Sequence, residues 1–492
     1  MIDKFKELSK TGIIYTVGVA LNSLIGYISL PIYSSYLTVE EYAVVNLIFL
    51  VGTLFSTIFY LGASSALTRF YYDYSDKDRC YIVSSSILLV SVGGVIQIII
   101  ACVFGKMIST IIFDTDCYFG CVILSLIISA ITAINTNYLL LLRFENSNYV
   151  YVSLNALSLI VSIGTMIFLF HYYNNIYIPF LSQLLGNVIV LLILYIRYRR
   201  MYKFNFYKQE ILKLLNFGFP IAATKISALW HTSFKFFVWE WQIVTVPFSS
   251  DQFILKKLTN LTDVGVYAFG SKLSMAIQVL IIMPFSLIWS QLRMKYRNEA
   301  DFNGFISNVL SYYLLVTSVM TLVIVFLCEE ILGIASTYNV SFMASLSYIP
   351  LLIMAQVVYG ARGIIDYGIQ INNKTLCYCI IGFLILLVNV VLNYVCIKFY
   401  GVKAAPIVKL ITYFLYTLIF YFVSERYYHI CFQRRNFITI MVLILAIIVY
   451  ENIGVFQPFV IRILELFILM FVLSILFLNK KERQIIVNYL RK

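Results

Sequence analysis

Charge is scarce in this chain. Only 12% of its 492 residues are Asp, Glu, Lys or Arg, against about 25% in a typical soluble domain, so it cannot present an ordinary wet surface. No G-x-x-x-x-G-K-[ST] occurs, which excludes a P-loop of its own and with it an ATP-driven pump in one chain. The three histidines, His171, His231 and His429, are far apart and cannot build a zinc site. Nine cysteines are scattered, and neither Cys117/Cys121 nor Cys377/Cys379 pairs with histidine at metal-ligand spacing; all nine read as packing residues. Alternating segments of about 10 residues are lacking, which excludes a β-barrel. The first apolar run has no small-residue cleavage site and reads as a span, not a signal peptide.

What is abundant is apolar: 61% of residues are hydrophobic and the mean hydropathy is +0.90. A helix needs ~20 apolar residues to cross about 30 Å of hydrocarbon. Fourteen runs meet that length, at 12–36, 42–63, 81–104, 118–142, 149–170, 176–196, 216–241, 264–291, 305–328, 344–368, 375–397, 401–423, 436–454 and 457–478. The expected class is an all-α polytopic membrane protein. Lys and Arg in short loops stay cytoplasmic. With the amino terminus inside, cytoplasmic segments hold 25 of the 36 basic residues and external loops hold five: Lys106, Lys256, Lys257, Lys398 and Lys403. Both termini are therefore expected inside. The net charge of +13 is read as a topology signal that also attracts anionic lipid headgroups, not as a nucleic-acid footprint.

A spacing recurs in the loops. LTVEEY (37–42) is followed 27 residues after Tyr42 by Arg69 in RFYY, and LTDVGVY (261–267) is followed 26 residues after Tyr267 by Arg293 in RMKY. The same offset of about 225 residues carries the spans near 81, 149 and 176 onto those near 305, 375 and 401. Six helices thus repeat as six helices of the same orientation, a parallel repeat with a substrate route between the halves. The expected division is 1–213, 214–435 and an appended 436–492. Aligning Gly12 with Gly218 leaves about 19 extra residues in the second half, QIVTVPFSSDQFILKKLTN at 242–260. These read as an outer loop or short hairpin, or a lid over the outer opening. The DTD at 114–116 reads as an external acidic loop.

Six basic residues fall within spans, Lys225, Lys235, Lys272, Arg362, Lys409 and Arg462, with three acids, Glu240, Asp366 and Glu465. An ionisable group at bilayer depth costs ~2.5–3.5 kcal/mol on insertion scales, so it faces water or a partner. Arg362 with Asp366 and Arg462 with Glu465 are spaced for local ion pairs. Lys225 and Thr232 share one face of their helix, with Lys235, Trp239 and Glu240 in the same half. Lys272 and Lys409 lie ~12 Å below the outer surface of their helices. The remainder, positive by three, fits an anionic passenger. The competing reading is that each lysine stem reaches a headgroup or an internal acid, and that His231 is a packed residue.

GIIYTVGVALNSLIGYISLPIYSSYLTVEEYAVVN (12–46), LGASSALTRFYYD (61–73), LLNFGFPIAATKISALW (214–230) and LTDVGVYAFGSKL (261–273), in this order within fourteen spans, give the chain its likeness. It resembles the polysaccharide transporter branch of the multidrug, oligosaccharidyl-lipid and polysaccharide exporter superfamily. The resemblance implies two bundles in a V around a cavity that opens alternately to either face. It also implies a short oligosaccharide on undecaprenyl pyrophosphate as passenger, turned to the outer leaflet of a bacterial inner membrane for O-antigen, capsule or another surface polysaccharide. Polysaccharide polymerase and chain-length machinery are implied as partners, with membrane lipids. By position it gives Lys225, Lys235 and Lys272 the pyrophosphate or acidic sugars; Lys409 and Arg362 join them as cavity cations on the charge argument. Glu240 and Asp366 are candidate acids for H+ or Na+ coupling, and no other cofactor is expected. The first span carries only neutral polar groups such as Thr16, Asn22 and Ser23, where carriers of the peptidoglycan precursor are more charged, which points away from that passenger. The alternatives are a multidrug exporter, which calls for an acid-dominated cavity, and a membrane glycan polymerase, which calls for a longer external loop.

Overall fold

The computed structural model describes residues 26–199 apart from 61, 76–77 and 146; 207–229; 250–286 and 289; 302–430 apart from 338 and 372–375; 433, 435–436, 439–444 and 447; and 458–477. All regular structure among them is helical. Nine helical stretches among the described residues are long and apolar enough to cross a bilayer. The last, Ile380–Glu425, is two helices, Leu376–Tyr400 and Ala404–Glu425, which part at Gly401 (φ +65°). Much of the expected first, seventh and thirteenth spans lies outside the described residues.

The repeated loop signatures are helix-start devices. Thr38 caps the Val39–Phe59 helix: its hydroxyl accepts from the Glu41 N–H at 3.2 Å while the Glu41 carboxylate accepts from the Thr38 N–H at 2.9 Å. This reciprocal bonding satisfies two donors that a helix start leaves bare. In the second copy, the Asn260 side chain accepts from the Asp263 N–H at 2.7 Å. The two signatures also touch. Thr262 donates to Glu40 at 2.9 Å, and a Cβ on Gly265 would strike the Val39 carbonyl.

The Arg79–Phe113 helix shows how an apolar sequence chooses its buried face. Val92, Val95, Ile99, Val103, Met107 and Ile111 are exposed, whereas Gly93, Gly94, Gln97, Ala101, Gly105 and Ser109 are buried. Small residues let backbones approach, and the bulky ones face lipid, where they lose nothing. Gly93 meets the Phe59 carbonyl and Gly94 the Ala130 methyl. At about 1.5 Å per residue this 35-residue helix exceeds the ~30 Å core. It ends at Asp114, in the left-handed conformation at φ 61°, so the DTD follows its projecting end.

The described residues fall into two compact units, one within Met1–Ala268 and Gly382–Ala405, the other within Phe269–Ile381 and Pro406–Lys492. In the first, an aromatic and aliphatic core gathers Tyr71, Tyr138, Leu142, Tyr151, Leu194 and Tyr198. The described part of the 242–260 insertion also belongs here, and it corrects the expectation of a loop or hairpin: Ser250–Leu258 is a helix. Its polar residues fasten it. Asp251, buried, accepts from the Tyr267 hydroxyl, Gln252 accepts from Asn46, and Lys256 pairs with Asp114 at 3.2 Å. A polar segment with three anchored side chains forms a helix where composition alone reads as loop.

Candidate functional site

In the second unit the Ile349–Ile365 helix carries Arg362, only 2% exposed. Its guanidinium lies over three rings, Tyr359 at 5.0 Å, Phe420 at 5.1 Å and Tyr416 at 5.2 Å from the centroids. Tyr416 and Phe420 stand on the Ala404–Glu425 helix, which is held to its neighbour by Thr417 donating to the Val358 carbonyl at 3.1 Å. Tyr413 completes the set, 4.9 Å from Tyr359. A buried guanidinium loses several kcal/mol of hydration; each desolvated ring contact returns about 2 kcal/mol or more. Asp366 sits one turn beyond Arg362, also 2% exposed, with its N–H bonded to the Arg362 carbonyl at 2.9 Å. The helix thus delivers both charges to one enclosed place.

Lys409 is buried on the same helix as Tyr413, Tyr416 and Phe420. Its offsets of four, seven and eleven residues put it on their face. The structure therefore gathers three of the predicted charges, Arg362, Asp366 and Lys409, onto two adjoining helices lined with tyrosine.

Lys272 stands apart from them. It is half-buried on the Leu261–Ser274 helix, flanked by buried Ser271 and Ser274, and makes no hydrogen bond or ion pair with a described residue. That helix leads into a π-helical segment, Gln278–Ile282, a local form that recurs at functional sites. Lys225 lies on the Lys208–Leu229 helix with its side chain outside the described residues. Lys235, Glu240 and His231 fall wholly outside them.

Arg462 departs from the expected pairing with Glu465. It bonds Glu329 at 2.8 Å and Glu330 at 2.6 Å, both on the Cys328–Ala335 helix.

Neutral amides were missed by a reading built on charge. Gln278 and Gln356 are each 2% exposed; among the described residues both side-chain polar atoms of Gln278 and the Oε1 of Gln356 lack a partner. Gly270 packs on Ser345 and Ile349, and Gly360 on Ile282, so the two helices run parallel and bring Gln278 level with Gln356. A glutamine inside an apolar run was the available signal. In the first unit Gln97 donates to the Leu126 carbonyl at 3.0 Å and Asn135 to the Asn187 carbonyl at 2.9 Å, while the Asn135 Oδ1 and the Asn137 Nδ2 lack a hydrogen-bond partner among the described residues. Among the described residues no group of three His, Cys, Asp or Glu could hold a metal ion.

Comparison with known proteins places these features. The profile of the family described as polysaccharide biosynthesis protein matches residues 8–289. Protein 1 of the Lsg locus of Haemophilus influenzae is 24% identical over 283 residues, covering 56% of this chain and 63% of that protein. The match thus spans less than two thirds of the relative's length. Among solved structures, the lipid II flippase MurJ in an inward closed conformation superposes with a TM-score of 0.74 at 16% identity, covering 94% of this chain and 98% of the other. An inward-facing multidrug resistance transporter of the MATE family, of the MOP superfamily, gives 0.64 at 14% identity, with 83% and 97% covered. The fold is therefore that of this superfamily.

Proposed function

The chain belongs to the polysaccharide biosynthesis protein family, and from that premise we propose that it is a flippase for polyprenyl-pyrophosphate-linked oligosaccharide. It moves the repeat units of O-antigen, capsule or another surface polysaccharide from the cytoplasmic to the outer leaflet of the inner membrane by alternating access. The family match carries the reading, supported by the fold it shares with a protein named a lipid II flippase. The work is transport, with no covalent step: the polar head crosses through a wet route while the lipid tail stays in the bilayer. Differential affinity for the head in the two states, or a coupled ion, sets direction.

Lys272, unpaired among the described residues and flanked by buried serines, is assigned to the pyrophosphate, with Lys225 and Lys235 on the preceding span. Asp366, enclosed beside Arg362, is assigned to H+ or Na+ coupling; Glu240 is the second candidate. Lys409 and Arg362 supply positive potential from their ring-lined setting. Both termini lie in the cytoplasm by the distribution of basic residues, and the glycan polymerase and chain-length machinery receive the product.

The multidrug reading keeps some support from the MATE likeness, but the spans hold more Lys and Arg than acids, which disfavours cationic drugs. Replacing Lys225, Lys235 or Lys272 by Ala at normal protein abundance tests the assignment. Accumulation of lipid-linked glycan with loss of surface polysaccharide is expected. Unchanged surface glycan in all three, together with raised sensitivity to cationic dyes, would return the multidrug reading.

A further inference from the structure

The RFYY signature that marks the repeat has no part in the route described above, yet the structure gives it a partner. Gly62 (φ +67°) breaks the chain after the Val39–Phe59 helix and packs directly on the backbone of Gly218. That contact, which a side chain on Gly62 would block, seats the Ala63–Phe70 helix against Lys208–Leu229. Phe70 then meets Phe217 edge-on, with centroids 5.3 Å apart. Lys213 is held over Phe70 at 4.5 Å and Tyr74 at 4.8 Å, and donates to the Tyr74 hydroxyl at 3.3 Å. Arg69 lies over the same Phe70 ring at 5.5 Å.

The two cations differ in their neutralisation. Arg69 pairs with Asp73 at 3.3 Å, but the side chains are 48% and 46% exposed, so the pair is weak and exchangeable. Lys213 has no carboxylate partner among the described residues: Glu210, one turn earlier on its helix, makes no ion pair with it. Its ammonium is positioned by rings, which fix a cation without cancelling its charge. Two positive groups on one aromatic ring, at the end of the helices that the basic-residue rule places at the cytoplasmic face, form an anion cradle at headgroup depth.

We infer that Arg69, Phe70, Tyr74 and Lys213 form a docking site for the pyrophosphate of a polyprenyl-linked substrate in the cytoplasmic leaflet. The lysine supplies a point charge and the arginine, released from Asp73, a bidentate fork for the same group. The ring edges of Phe70 and Tyr74 accept the first isoprene units. The identity of the lipid rests on the flippase reading; the cradle itself does not.

The test uses the full-length protein in nanodiscs of zwitterionic phosphatidylcholine, with farnesyl pyrophosphate as probe. Lys213→Ala is expected to weaken binding roughly tenfold, as loss of a charge-assisted bond does, and Lys213→Arg to restore most of it. Lys208→Ala, an exposed lysine on the same helix, is expected to change nothing. Inorganic pyrophosphate should compete. Equal binding by wild type and Lys213→Ala would overturn the site, as would full competition by a modest fraction of phosphatidylglycerol, which would make it a general anionic-lipid patch. An arginine variant that melts like wild type but fails to bind would also overturn it. Binding intact in a protein whose deletion leaves lipid-linked glycan unaffected would sink the flippase reading and leave the cradle standing.

Discussion

Single side chains decide how charge survives in this membrane. Arg362 is tolerated because Tyr359, Tyr416 and Phe420 surround its guanidinium and Asp366 is one turn away. Arg362→Ala should lower stability by on the order of 3 kcal/mol, since the buried Asp366 loses the cation one turn away on its own helix. Adding Asp366→Asn should recover part of that, read as the melting temperature of the purified protein in detergent. At the capping box, Thr38→Ala should cost ~1 kcal/mol, measured the same way, because the Glu41 N–H loses its acceptor. The cysteines separate by setting. Cys328 is buried and Cys117 exposed, so Cys328 should resist maleimide while Cys117 reacts. The sequence spacing of Arg362 and Asp366 announced their shared helix face. The ring cage around them could not be read, because it depends on which helix lies alongside. Arg462 illustrates the same limit: local spacing favoured Glu465, and the packing of a distant helix brought Glu329 and Glu330 instead.

Elements are positioned by the residues that permit contact, more than by those that attract. Gly62 and Gly218 set the Ala63–Phe70 helix, and Gly93 and Gly94 set Arg79–Phe113 against its neighbours. Gly62→Ala should cost about 1–3 kcal/mol from the left-handed backbone alone, and more from the collision with Gly218. The loss should appear as poor expression and a lowered melting temperature. Hydropathy made the spans legible, since long apolar runs in this composition have one physical outcome. It could not reveal the Ser250–Leu258 helix, whose stability comes from Asp251, Gln252 and Lys256 finding Tyr267, Asn46 and Asp114. Nor did a charge count notice Gln278 and Gln356, because a neutral amide has no charge to count.

For the whole molecule, orientation is the first consequence to check. Cys117 lies in the short connection after the Arg79–Phe113 helix, which the basic-residue distribution places outside. In a variant retaining only that cysteine, a membrane-impermeant maleimide added to spheroplasts should label it fully. Labelling only after lysis would invert the topology and move the Lys213 cradle to the wrong leaflet. The central claim concerns movement of a lipid head. The most direct measurement removes the protein and asks, in sealed inside-out and right-side-out vesicles, which leaflet holds the polyprenyl-linked oligosaccharide. Flipping by this chain predicts its accumulation on the cytoplasmic leaflet with depletion on the outer one, reversed when the wild-type chain is restored. An unchanged distribution between the leaflets would contradict it.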